Sequence, residues 1–270
     1  MEDPNIQQLH VEATTDIEQQ ISLILTSYLS ESPLPTALEA AIQINDLFPH
    51  QHEKSEVKRN PGGFLAAFWD LAFNIAVQLG YQTQPMRKFI SLIKALRDLP
   101  STVILEDGRR LWQDLPDLAL FFTERWHQMC IPNPDITPET SRRWKNVNGL
   151  AVYLTVENLY GGWYRALESI QLGLENGSRR EAQNITECYA PAAAIWLSLL
   201  SQEIYHRCKE NALQDSNSKG QLWKGKPGYN LQRWAFWRSR LAELRDSPLM
   251  TNESREIFSE AEAAMEAAME

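Results

Sequence analysis

Apolar residues recur along this chain at intervals of three and four. Ile17, Ile21, Ile24, Leu25, Tyr28 and Leu29 form one stripe of an amphipathic helix. Pro33 and Pro35 end it, a second helix is expected from Thr36 to Phe48, and a charged loop follows from Pro49 to Arg59. Asn60 before Pro61 reads as an N-cap with proline at the first helical position. From there to about Leu79 the chain is apolar nearly all round, which predicts a central, buried helix with Gly80 as its C-cap. Thr137-Pro138-Glu139 is another start signal. Further helices are expected near 84–99, 114–129, 138–159, 162–176, 187–213, 230–246 and 253–269. The last is rich in alanine and glutamate and thin in apolar residues, so it is expected as a loosely docked tail over 253–270. Val103-Ile104-Leu105 has the composition of a short strand without an evident partner. Pro132, Pro134 and Pro138 stiffen the connector 130–138, and 176–184 and 214–220 read as polar loops. No internal repeat stands out. The expected fold is all-α, a single multi-helix domain of about 9–10 helices over residues 1–270, around a tryptophan-rich core.

Composition adds limits. Of 270 residues, 43% are hydrophobic and 23% charged, which suffices for a core. Nine tryptophans each bring a large apolar area and an N–H that needs a partner. The net charge of −9 disfavours binding to nucleic-acid backbones. Charge is uneven: residues 1–56 carry ten acids against Lys54, whereas 223–246 carry Lys224, Lys226, Arg233, Arg238, Arg240 and Arg245 against Glu243 and Asp246. That basic strip reads as a solvated face or an intramolecular dock for acidic segments, or as an anion site. Cys130, Cys188 and Cys208 are odd in number and far apart, which implies no disulfide framework and favours a reducing compartment. The polar start MEDPNIQQLH resembles no leader, and no apolar run reaches the roughly 18 residues of a membrane span. The expected location is cytoplasmic.

Candidate chemistry is sparse. Asp70 and Asn74, four apart in the apolar helix, are expected as buried polar groups that act as acid or hydrogen-bond donor. The alternative is that Asp70 pairs with an arginine or caps a tryptophan N–H. Trp144, Asn146, Asn148, Tyr153 and Glu157 form a second set, in which Asn148 either orients a ligand carbonyl or ties helix to helix. Gly161-Gly162 before Trp163 permits a sharp turn or close backbone approach. His127 and Cys130 could share a metal, His50-x-His52 sits in the charged loop, and Asp114-Leu-Pro-Asp117 is the nearest approach to an acidic magnesium motif. None completes a ligand set, so neither metal nor cofactor is expected. Hydrolase, P-loop and Rossmann fingerprints are absent. In the segment from Leu222 to Leu241, Trp234, Trp237, Leu241 and Leu244 make a core stripe. Arg233 and Arg240 stand on a neighbouring face, suited to stacking or to pairing with acids.

The Trp223-Lys224-Gly225 loop followed by Arg233-Trp234-x-Phe236-Trp237-x-x-Arg240-Leu241 resembles the C-terminal signature of a fungal family of uncharacterised helical proteins known only as a domain of unknown function. Trp144-x-Asn146-x-Asn148 resembles its middle motif, and Ala192-Ala193-Ala194-x-Trp196 with Tyr205 the helix between. The resemblance covers about residues 60–245 and implies a fungal, intracellular, all-α protein without established catalytic residues. It also implies a neighbourhood of specialised-metabolite genes.

From these strands comes an expected function: a cofactor-independent enzyme that cyclises or isomerises a hydrophobic small molecule, a terpenoid or polyketide, by holding a reactive conformer in an apolar pocket. Trp69, Phe73, Trp144, Tyr153, Trp163 and Trp196 would be walls, and Asp70, Asn74 or Asn148 would polarise a carbonyl. The alternative is a non-catalytic helical interaction or regulatory protein. The oligomeric state is open.

Overall fold

Threonines start the first two helices, for a physical reason. Thr15 and Thr36 each accept the backbone N–H three residues on. Glu18 and Glu39 reach back to the threonine N–H groups at 2.9 and 2.7 Å, closing two capping boxes. The computed structural model describes residues 9, 11–30, 35–49, 61–100, 103–130, 136–176, 183–213 and 219–270. Among them are eleven α-helices, one π-helical turn and no strand longer than an isolated bridge. The fold is all-α, as the periodicity predicts. Its contacts gather into two compact units, residues 1–129 and 130–270.

The first unit holds α1 (Asp16–Leu29), α2 (Ala37–Asp46), α3 (Pro61–Ala76), α4 (Gln84–Arg97) and most of α5 (Leu118–Cys130). Tyr28 on α1 donates to the Lys88 carbonyl of α4 at 2.9 Å. Lys88 Nζ answers with the Tyr28 and Ser30 carbonyls at 3.2 and 2.5 Å. Aromatic rings run on from α3: Phe68 to Trp69 at 4.8 Å, Trp69 stacked on Phe73 at 5.6 Å, and Phe73 against Phe122 at 5.6 Å. The expected strand becomes one antiparallel bridge, Ile104 with Arg110, closed by a tight turn at Gly108. Trp112, Leu115 and Asp117 adopt positive φ values of 66°, 42° and 67°. This left-handed run delays α5 to Leu118, four residues later than the periodicity suggests.

The second unit is built on α8 (Gln183–Leu199). Around it pack α6 (Pro138–Val156), α7 (Trp163–Ile170), a π-helical turn (Gln171–Glu175), α9 (Ser201–Lys209) and α11 (Asn252–Ala267); α10 (Leu231–Arg245) packs on α9, α11 and the π turn. The helix expected over 187–213 breaks at Leu200, which accounts for one helix more than foreseen. At Gly162 a side chain would bring Cβ within 2.2 Å of Thr155 Oγ1, so α6 and α7 meet closely because of the glycine. The tail, expected to be loosely docked, is instead integral: Ile257, Phe258, Ala261 and Met265 are buried, and Glu262 pairs with Arg245 of α10. Its apolar stripe is narrow but lies wholly inside the unit.

Candidate functional site

Asp70 is not buried. Its side chain is 55% exposed and pairs with Arg125 of α5 at 2.7 Å, while half-buried Asn74 donates to its other oxygen at 3.1 Å. The reason lies in a narrow stripe, Gly63, Ala67, Asp70, Asn74 and Gln78, which keeps one edge of the otherwise buried α3 toward solvent. The expectation of a carboxyl held in an apolar site is therefore corrected: Asp70 is an ion-paired surface acid. Trp69 and Phe73 are buried in the first unit's core, and the Trp69 indole donates to the Pro116 carbonyl at 2.7 Å.

The remaining candidates lie in the second unit. Asn148 is fully buried and committed at both ends: its amide donates to the Trp144 carbonyl at 2.8 Å, and its oxygen accepts the Trp196 indole N–H at 2.8 Å. It ties α6 to α8. Trp144 and Trp196 are buried, with Trp144 edge-on to Tyr189 at 5.8 Å; Tyr153 is half-buried. Trp163 is half-buried and forms a shelf for the Arg207 guanidinium, 3.7 Å from its ring centre.

The signature segment resolves into a buried clamp that sequence reasoning half found. Arg233 and Glu175 are both fully buried. Arg233 Nε and Nη2 donate to the two carboxylate oxygens at 2.5 and 2.8 Å, and Nη1 donates to the Gly228 carbonyl at 2.8 Å. Trp237 Nε1 and the Gly220 N–H add bonds of 2.7 and 2.9 Å to the same carboxylate, and the Glu175 carbonyl accepts the Leu222 N–H at 2.8 Å. Every oxygen is thus matched by donors, the condition under which a buried ion pair is tolerated. Gly228 sits at φ 69°, in the left-handed region that a side chain resists. Arg240 pairs with Glu243 and Arg245 with Asp246 and Glu262, so these arginines of the basic strip meet acids of the chain itself. Glu175 itself escaped the sequence reading: it lies 58 residues before Arg233, and no local pattern distinguishes it.

Among the described residues no group of three His, Cys, Asp or Glu side chains converges on a metal position. Asp114 and Asp117 each pair with an arginine, Arg110 and Arg109. His50 and His52 lie outside the described residues. Burial pushes the Cys188 and Cys208 thiols up to about 11 and about 12, which leaves them protonated and poor nucleophiles at neutral pH.

Two clefts on the second unit stand out among the described residues. One, about 340 Å³, is a surface groove beside Trp163 and Arg207, with Glu203 and a His206–Glu210 contact of 3.1 Å. The other, about 590 Å³, falls within the range of roughly 300–1,000 Å³ typical of small-molecule sites. It lies where the first turns of α6 and α11 meet α8. Ile136 and Pro138 supply apolar wall, Ser141 and Lys145 one face of α6, Glu187 a wall from α8, and Thr251, Glu253 and Ser254 the start of α11. Glu187 is spent as a cap: it accepts the Thr251 N–H and the Ser254 hydroxyl, both at 2.5 Å. Lys145 pairs with Glu253 across the opening. Of the residues expected as catalytic or as walls, only Trp163 lines either cleft.

Fold and site together define an all-α protein whose C-terminal half is locked by a buried arginine–glutamate clamp. The chain belongs to a family of proteins of unknown function, DUF3632, which matches residues 69–241. The match takes in Glu175, Arg233 and Trp237, and ends before α11. No curated protein and no solved structure matches the chain. No described helix is long and apolar enough to cross a membrane.

Proposed function

We propose that this chain is a non-catalytic helical binding protein, and that the cleft between α6, α8 and α11 takes its ligand. One contrast carries the reading. The polar groups best suited to catalysis from the sequence, Asp70, Asn74 and Asn148, are tied to protein partners and line neither cleft, whereas the 590 Å³ cleft opens between an ion-paired lysine, hydrogen-bonded hydroxyls and an apolar wall. Recognition needs such a mixed lining; it needs no spare acid or base. Cyclisation or isomerisation of a terpenoid or polyketide draws no support from Asp70, Asn74 and Asn148, whose polar groups are engaged within the chain. A cytoplasmic location belongs to the same proposal, supported by the two buried free thiols.

The test is an amide-detected NMR screen of small fragments, neutral and charged, on the full chain. Shifts are expected to concentrate around Ser141, Lys145, Glu187 and Ser254 and to vanish in Ser141→Trp, which fills the cleft. Shifts confined to other surfaces, or unchanged in that variant, contradict the reading.

A further inference from the structure

Resting on that reading of the cleft, we infer that its ligand is a carboxylate on an apolar body, and that Glu253 is the stand-in which the ligand displaces from Lys145. The two members of this ion pair differ in exposure. The Lys145 side chain is only 13% exposed, while its partner Glu253 is 52% exposed. A cation so far withdrawn from water needs an anion beside it, whereas the glutamate is well hydrated without the cation. Exchange of one carboxylate for another at Lys145 therefore returns Glu253 to solvent at small penalty and keeps the ammonium paired.

The surroundings favour the incoming group. Ser141 stands one helical turn before Lys145 on the same face of α6 and lines the same cleft, so its hydroxyl, which also meets the Cys188 thiol, borders the space beside the ammonium. The first turns of α6 and α11 both border the cleft and bring the positive ends of their helix dipoles. Two acids oppose an anion here. Glu187 is turned to the Thr251 N–H and the Ser254 hydroxyl, and Glu253 is the group displaced. Arg142 adds a second cation at the rim, held by Glu139 at 2.7 Å. Ile136 and Pro138 supply the apolar wall that a hydrocarbon body would cover. The Glu253 side of the cleft lies beyond residues 69–241, so this chain's own C-terminal helix sets the competition.

The experiment titrates the full chain with octanoate and with neutral octan-1-ol, followed by amide NMR, in the wild type, Lys145→Met and Glu253→Gln. Octanoate is expected to shift amides in the first turns of α6 and α11. Its Kd should weaken by on the order of 10-fold or more in Lys145→Met, the loss of one charge-assisted hydrogen bond. It should tighten several-fold, roughly, in Glu253→Gln, where the internal competitor loses its charge. Octanol should respond to neither substitution. Equal binding of octanol and octanoate in the cleft, or octanoate affinity unchanged in either variant, overturns the carboxylate assignment and leaves the cleft a ligand site. Failure of both probes to shift any cleft amide overturns the carboxylate assignment, and the fragment screen then decides whether the cleft reading falls with it. Glu253→Gln alters an exposed rim residue and carries the test by itself where Lys145→Met does not fold.

Discussion

In the first unit the indole N–H groups of Trp69 and Trp112 end on neutral oxygens, the Pro116 carbonyl at 2.7 Å and the Asn45 amide at 3.1 Å. In the second unit Trp196 ends on the Asn148 amide, but Trp237 ends on a buried carboxylate that also holds Arg233. At these four tryptophans both units meet the same demand, a large ring with one donor. The second does so by burying a full ion pair, and with it a dependence on every partner in the set. A neutral network that loses one member leaves one unsatisfied group; an ionic one leaves an uncompensated charge.

Arg233→Met should therefore lower stability by about 3–5 kcal/mol, because it strands Glu175 inside the second unit. Urea unfolding measures it. Trp69→Phe, its counterpart in the first unit, should lower stability by about 1–3 kcal/mol, since one buried carbonyl loses its donor. Loss as large as that of Arg233→Met would erase the contrast. Asn148→Leu should fall in the same range of about 1–3 kcal/mol while leaving octanoate binding unchanged. A loss of binding there would return Asn148 to the candidate site. Asp70→Asn removes a half-exposed ion pair and should shift stability by at most about 1 kcal/mol.

Alkaline pH separates the units without mutation. Tyr28 in the first unit is raised by burial from its ordinary 10.0 to about 12, Cys188 and Cys208 in the second from 9.0 to about 11 and about 12. Each folded value lies above the unfolded one. Their contributions are complete below the ordinary values and are lost as pH rises through the folded values. The second unit should begin to weaken near pH 9, one unit before Tyr28 acts on the first. In Cys188→Ala/Cys208→Ala the fall in unfolding midpoint between pH 9 and 10 should shrink; an unchanged slope would place the titration elsewhere.

Helix type and position were legible because the three-to-four spacing is dense and the starts carry chemistry, as at Thr36 and at Thr137-Pro138. Two features were not. The break at Leu200 falls inside a continuous apolar pattern, and the left-handed run from Trp112 to Asp117 has no glycine to announce it. In the site, the polar and small stripe from Gly63 to Gln78 was visible as a spacing, and it marks Asp70 as an edge residue; the surrounding hydrophobicity outweighed it. Arg233 stood out beside its tryptophans, but Glu175 did not, since a pairing across 58 residues leaves no periodic trace. The cleft was illegible for the same reason. Lys145, Glu187 and Glu253 come from three helices, and only packing brings them to one opening.

The signature residues act as a clamp within the fold. A double-mutant cycle on Glu175 and Arg233 tests it most directly, with urea unfolding of the wild type, Glu175→Leu, Arg233→Met and the pair. Each single change should cost about 3–5 kcal/mol, and the double should cost no more than either single, because removing both charges leaves neither stranded. Additive losses within about 0.5 kcal/mol would show two independent residues and contradict the clamp.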